Sequence, residues 1–92
     1  MQFEWDLEKE IMNIKKHRVY FSEAVETFSD SKGFQMVDYK HSTKENRFYW
    51  IGKSMNGHVL TTWFTRRENI IRIIGSAKWR KFKKLYETTQ IN

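Results

Sequence analysis

RFYWIGKSMNGHVLTTWFTRRENIIRIIG, residues 47–75, holds three strand-like runs separated by two polar breaks. Arg47–Gly52 is rich in aromatic and β-branched residues, and His58–Thr65 resumes that composition after Asn56-Gly57. An Asn-Gly pair between two such runs is the strongest short-range hairpin signal, because both residues tolerate the positive φ of a type I′ turn. Arg66–Asn69 supplies a polar turn, and Ile70–Ile74 is a third strand, β-branched at nearly every position. Strands joined by short turns pair antiparallel, so this segment alone predicts the middle of an antiparallel sheet.

The flanks complete the order of elements. Upstream, Phe34 and Met36 alternate with Gln35, Val37 and Tyr39, the period of a half-buried strand. Before it, Phe3–Trp5 can form a short first strand, and Asp6 is placed to cap a helix with Leu7, Ile11 and Ile14 on one face that ends near His17. Ser22 is expected to cap a second short helix with Ala24, Val25 and Phe28 as its apolar positions, stopping in a Ser29–Gly33 turn. Downstream, Gly75 breaks the last strand. Lys78–Glu87 then predicts a closing helix with Trp79, Phe82, Leu85 and Tyr86 on one face. The expectation is an α+β chain: a short N-terminal strand, two helices, an antiparallel sheet of about four further strands and a C-terminal helix.

Ninety-two residues fit one domain, taken as 1–92, with a thin core and no cysteine to brace it. No run approaches the ~20 apolar residues of a membrane helix, and the opening MQFEWDLEKE is acidic where a signal peptide is basic and then apolar. A cytoplasmic location without membrane contact is expected. Charge is divided unevenly. Residues 1–46 carry seven Lys/Arg against nine Asp/Glu, and residues 47–92 carry ten against two. A basic half joined to a slightly acidic half suits one face for a polyanion and another for a protein partner.

His17, His41 and His58 stand far apart without metal-ligand spacing, and there is no phosphate-cradling glycine loop or nucleophile elbow. What remains is a cationic cluster: Arg66 and Arg67 at a strand end, Arg72 in the next strand, and Lys78, Arg80, Lys81, Lys83 and Lys84 in the last helix. The planar fork of arginine suits phosphate, and two arginines can neutralise the charge of a pentacoordinate phosphorane. Such a site can cleave RNA without metal, because the 2′-hydroxyl is an internal nucleophile that needs only alignment and proton transfer. Each residue has a structural alternative. Arg72 can instead pair with Glu45 or Asp38, His17 can complement a helix dipole, and Trp79, Phe82 and Tyr86 can be core.

In order along the chain stand Phe3-Glu4-Trp5-Asp6, Asn13 with Lys16-His17, Phe21-Ser22-Glu23-Ala24, Asp38, Glu45-x-Arg47-Phe48 with Ile51-Gly52, Phe64-Thr65-x-Arg67, Ile71-Arg72-Ile73-Ile74 and Leu85-Tyr86-Glu87. This ordered set covers almost the whole chain and resembles the BrnT-type ribonuclease toxins of bacterial type II toxin-antitoxin systems, whose fold is RelE-like. Two segments depart from the family pattern. A Ser-Ala-Arg run followed by an acidic residue is replaced by Gly75-Ser76-Ala77-Lys78-Trp79-Arg80-Lys81, and a Thr-Glu-Arg turn by Thr65-Arg66-Arg67.

The resemblance implies an endoribonuclease that inhibits translation, is neutralised by a BrnA-type antitoxin and meets operator DNA only through the toxin-antitoxin complex. Within that frame Arg67 and Arg72 are the candidates for stabilising phosphate charge, with His17 and Tyr86 for proton transfer. Lys16, Arg47, Arg66, Lys78, Arg80 and Lys81 are the candidates for holding the RNA backbone, and no metal or cofactor is expected. The alternative is a non-catalytic RNA-binding or antitoxin-docking module on the same fold, with Gly75–Lys81 as the discriminating segment. A DNA-binding domain is disfavoured, because no helix-turn-helix is present and the basic helix is terminal and aromatic-rich.

Overall fold

The computed structural model describes residues 1–90. Its elements are β1 (Gln2–Trp5), α1 (Leu7–His17), α2 (Phe21–Thr27), β2 (Phe34–Val37), a single 3₁₀ turn (Tyr39–His41), β3 (Arg47–Lys53), β4 (Val59–Arg67), β5 (Ile70–Ala77) and α3 (Arg80–Thr89). The strands form one sheet in the order β1-β5-β4-β3-β2. β2 to β5 are antiparallel neighbours, as their short connections require, whereas β1 runs parallel to β5 with Phe3 opposite Ile71 and Trp5 opposite Ile73.

Each face of the sheet is covered differently. α2 lies over one face, where Phe21, Ala24, Phe64, Ile71 and Ile73 are fully or almost fully buried and Phe28, Phe48 and Trp50 pack against them. On the other face α3 covers Ile51 and Val59 with Tyr86 and Phe82. Val59 to Thr62 are buried at four successive positions, because β4 is central and covered on both sides there.

Asp6 caps α1 as its sequence position suggests, its carboxylate accepting from Glu8 N–H at 2.8 Å. Of the expected apolar face of α1 only Ile14 is half-buried, while Leu7 is 66 % and Ile11 45 % exposed. The helix is held by polar groups instead. Asn13, buried, donates to the carbonyls of Val19 and Ser76 and accepts from Ser76 N–H, and Glu10 accepts from Trp5 Nε1–H and Phe21 N–H. α2 starts one residue before Ser22, at Phe21, and the N-cap position is Tyr20 with no side-chain bond, since the packing of buried Phe21 fixes this helix. Tyr39 leaves the strand alternation for the 3₁₀ turn.

The Asn56-Gly57 hairpin forms where expected but with a different turn. Gly57 alone of the pair takes a positive φ, 83°, and a type I′ turn needs it at both residues. Gly57 N–H donates to Ser54 O at 2.9 Å and Ser54 N–H to His58 O at 2.8 Å. The next turn is tighter than Arg66–Asn69: Arg67 pairs with Ile70, leaving Glu68 at φ 55° and Asn69. Gly75 does not end β5. Trp63 pairs with Gly75 and Phe64 with Ile73, so Ile74 is a bulge and the strand continues to Ala77. Gly75 is required there because a Cβ would collide with the Trp63 indole, which stacks on Trp79 at 4.8 Å. α3 accordingly starts at Arg80 rather than Lys78.

Candidate functional site

Strand register builds a polar row across the uncovered end of the α3-bearing sheet face. Glu4 of β1 lies opposite Arg72 of β5, Arg72 opposite Thr65 of β4, and Thr65 opposite Arg47 of β3. Asp38, just past β2, completes the row by donating its N–H to Arg47 O at 2.8 Å. Alternation puts all of these side chains on one face, while Ile71, Ile73, Phe64 and Phe48 point to the core beneath. Adjacent strands are ~4.8 Å apart, so Arg72 and Arg47 are anchored roughly 10 Å from each other with Thr65 between them. That span suits two long side chains converging on one small anion.

The row is ion-paired at both ends. Arg72 Nη1 donates to Glu4 Oε2 at 2.7 Å, and Arg47 Nε lies 3.4 Å from Asp38 Oδ2 without hydrogen-bond alignment. Arg67, two residues beyond Thr65 on the same face, donates twice to Glu45, at 3.2 and 3.3 Å. A guanidinium has five N–H groups, so each pairing leaves donors free. At the centre, the buried Thr65 hydroxyl has no hydrogen-bond partner among the described residues, and the buried Arg47 Nε–H has only its ion-pair contact with Asp38. A buried polar group left unpaired is destabilising by about 1–3 kcal/mol, so this end of the face is incompletely satisfied by the described residues.

Asp38 is the most enclosed charge in the row, its side chain 4 % exposed. Both of its oxygens contact His41 Nδ1, at 3.1 and 2.9 Å, and Ser42 Oγ–H donates to its backbone carbonyl at 2.7 Å. Tyr49 stands against the same carboxylate. Burial first, and then the negative charge of Asp38, raise its pKa.

Sequence reasoning placed Arg67, Arg72 and Arg47 among the site candidates, and the fold brings these three together. The partner of Arg72 is Glu4, not Glu45 or Asp38, and the ion pair is partly exposed, 33 % for Arg72 and 41 % for Glu4, so Arg72 is no buried charge. His17 sits elsewhere on this side of the sheet, edge-on to Trp63 and Trp79 at 5.8 and 6.3 Å. Burial and the adjacent Lys16 lower its pKa. An open groove beside it is lined by Asp6, Met12, Lys16, His17, Trp63 and Ile74.

Tyr86 is buried on the inner face of α3, where its hydroxyl donates to Asp30 at 2.6 Å. Its neighbour Val59 lies six residues from Thr65 along β4, roughly 20 Å at strand rise. Arg66 points to the opposite face, with its guanidinium 5.9 Å from the Phe64 ring and bonded to Gln35. Lys78 is near Glu23 at the far end of the sheet, and Arg80 and Lys81 are exposed on α3, Lys81 resting 5.6 Å from the Phe82 ring. Thr65 stands in the row and His41 beside it, and neither was a candidate from the sequence. The Asp38-x-x-His41 spacing was the one available signal; Thr65 falls between Arg47 and Arg72 only through the strand register. Among the described residues, no three His, Asp or Glu side chains gather closely enough to hold a metal ion.

Comparison with known proteins bears on what this arrangement is. No curated protein matches the chain. Among solved structures, the 1.1 Å crystal structure of the Brucella abortus ribonuclease toxin BrnT is similar, with a TM-score of 0.63 and 22 % identity over 86 % of this chain and 96 % of that one. At that identity the likeness speaks for the fold alone. The family model described as ribonuclease toxin, BrnT, of type II toxin-antitoxin system matches residues 5–82. That match runs from Trp5, the last residue of β1, to Phe82 in the first turn of α3 and includes every residue of the polar row except Glu4, and by it the chain belongs to the BrnT family of ribonuclease toxins of type II toxin-antitoxin systems.

Proposed function

We propose that the polar row is where this toxin holds and cleaves RNA, with the scissile phosphate seated over Thr65 between Arg72 and Arg47. The observation that carries the reading is the gathering of Arg47, Arg67 and Arg72 around Thr65 on one face of the sheet, at an end that α3 leaves open and where each guanidinium keeps donors beyond its ion pair. Arg72 and Arg67 stabilise the charge that develops on the phosphorane, where preorganised donors have the greatest effect on rate. The nucleophile is the 2′-hydroxyl of the RNA, so the reaction proceeds without a divalent ion and leaves a 2′,3′-cyclic phosphate and a 5′-hydroxyl.

Residues 1–92 act as one toxin domain in the cytoplasm, and the neutralising partner is a BrnA-type antitoxin that carries the operator-binding part of the complex. An acidic antitoxin segment lying over the row, competing with Glu4, Glu45 and Asp38 for the arginines, accounts for neutralisation by charge complementarity.

Incubating the purified protein with an oligoribonucleotide in EDTA tests the chemistry. Cleavage with cyclic phosphate ends, absent on a 2′-deoxy substrate, is expected. Cleavage that requires added divalent ion overturns the mechanism.

A further inference from the structure

We propose that His41, held by Asp38, is the general base that takes the proton from the 2′-hydroxyl; this deepens the proposed phosphate site and rests on it. The ring is oriented as a base must be. An ionised carboxylate can only accept, so contact of Nδ1 with both Asp38 oxygens, at 3.1 and 2.9 Å, puts the proton on Nδ1 and the lone pair on Nε2. Asp38 is fixed in turn by its backbone bond to Arg47, by Ser42 and by burial. The 3₁₀ turn Tyr39–His41 brings the imidazole back over the carboxylate three residues earlier. The side chain stays 48 % exposed, and among the described residues no hydrogen bond engages Nε2.

Position and comparison with the other histidines support the assignment. Asp38 ends the row that holds Arg47, Thr65 and Arg72, so the imidazole stands at the margin of the donors proposed to hold phosphate. His17 faces two indoles and has no carboxylate to orient it among the described residues. His58 has a carboxylate partner, with Nδ1 2.8 Å from Glu23, but it sits at the β3–β4 hairpin beside Ser54, away from the row. It therefore supplies a control: the same pairing without the arginines.

His41 Nε2 takes the 2′-hydroxyl proton as the O2′–P bond forms. The P–O5′ bond breaks with its electron pair passing to O5′, which takes a proton from water, and the imidazolium returns its proton to the hydroxide left behind. The products are the cyclic phosphate and the 5′-hydroxyl, with no other reactant consumed.

The experiment compares wild type with His41→Ala, His41→Gln, Asp38→Asn and His58→Ala on an oligoribonucleotide with one cleavable bond, in EDTA. General-base loss lowers kcat on the order of 10²- to 10⁴-fold in both His41 variants, with unchanged melting temperature and unchanged affinity for the 2′-deoxy analogue. Added imidazole restores part of the rate to His41→Ala. Asp38→Asn lowers kcat more than it changes KM, and His58→Ala stays within about threefold of wild type. A His41→Ala protein that cleaves at the wild-type rate while Arg72→Ala does not refutes the assignment and leaves the phosphate site standing. Loss of analogue binding in His41→Ala also overturns it, and an inactive wild type sinks the reading of the site itself.

Discussion

At the covered end of the sheet face, Asp30 accepts from the Tyr86 hydroxyl at 2.6 Å, Lys53 N–H at 2.8 Å and Lys32 N–H at 2.9 Å. At the open end Asp38 also stands against a tyrosine, Tyr49, but its contact with Arg47 Nε, at 3.4 Å, is not aligned as a hydrogen bond, and the Thr65 hydroxyl next along the row has no hydrogen-bond partner among the described residues. Both ends use a carboxylate, a tyrosine and a nearby cation. α3 reaches only the first, adding Phe82 and Tyr86 to Ile51 and Val59. Where a helix covers the face, the polar groups are satisfied within the chain and the aromatics pack. Where it does not, polar groups remain without a hydrogen-bond partner among the described residues. The difference separates an end that is satisfied within the chain from the end proposed to bind RNA, without appeal to residue type.

Removing the charge at the centre of the open end breaks the comparison most severely. Arg72→Ala is expected to lower cleavage on the order of 10²- to 10³-fold, the effect of removing one preorganised donor to a developing oxyanion. Its melting temperature should stay close to that of wild type, since the Glu4 pair is partly exposed and such pairs contribute little. Cleavage assays and thermal melts on the same preparation decide it. A large loss of stability with the folded fraction still cleaving normally reverses the assignment of the two ends.

Gly75→Ala is the opposite case. A methyl group there meets the Trp63 indole, which is already stacked on Trp79 at 4.8 Å and 7°, so the sheet or the stack must shift. Overpacking of this kind is destabilising by about 1–3 kcal/mol, and a lowered urea midpoint should report it. An unchanged midpoint means that the indole can move, and the aromatic stack is then not what fixes the start of α3.

These outcomes bear on how much of the molecule the sequence discloses. The hairpin and the strand-and-helix order are local, governed by Asn56-Gly57, the β-branched run and the Asp6 cap, and were legible. The pairing of β1 with β5 was not, because it joins residues nearly seventy positions apart, as in Glu4 with Arg72. The polar row depends on that pairing. Arg67 and Arg72 stood out by charge in an apolar setting. Thr65 and His41 did not, since a threonine in a strand is ordinary and a lone histidine gains meaning only when Asp38 is seen beneath it. Tyr86 was ambiguous for the same reason: its helical spacing with Phe82 is equally that of a core residue, and only the fold reveals Asp30 as its partner.

Tyr86→Phe sharpens that last point. The loss of one hydrogen bond should lower stability by about 1 kcal/mol or somewhat more, with cleavage unchanged. The pH dependence carries the sign. Burial, then the Asp30 hydrogen bond and charge, push the Tyr86 pKa up to about 12, so the folded state retains its proton where the unfolded chain, near 10, has released it. Stability from this group is full below pH 10 and declines as pH rises to about 12, by at most ~1.4 kcal/mol per unit. Urea titrations across that window should show a shallower fall in the Phe variant. A cleavage rate that drops with the hydroxyl would instead return Tyr86 to the chemistry.

The smallest expected effect comes from two adjacent arginines that differ only in the face they occupy. Arg66 and Arg67 carry the same charge, and if a basic surface alone binds RNA, replacing either with alanine weakens binding equally. Alternation in β4 places Arg66 against Phe64 and Gln35 on the α2 side, whereas Arg67 lies beside Thr65 and pairs with Glu45 on the open face. Removing one cation that neutralises a phosphate of single-stranded RNA reduces the slope of log K against log salt by ~0.7. Arg67→Ala should show that change together with slower cleavage, on the order of tenfold. Arg66→Ala should leave the slope unchanged and the rate within about twofold, because its charge is directed away from the row. Titrations of a non-cleavable RNA at several salt concentrations, run on both variants, measure the slopes side by side. Equal losses in the two would mean that diffuse charge, and not the register of the sheet, directs RNA to this surface.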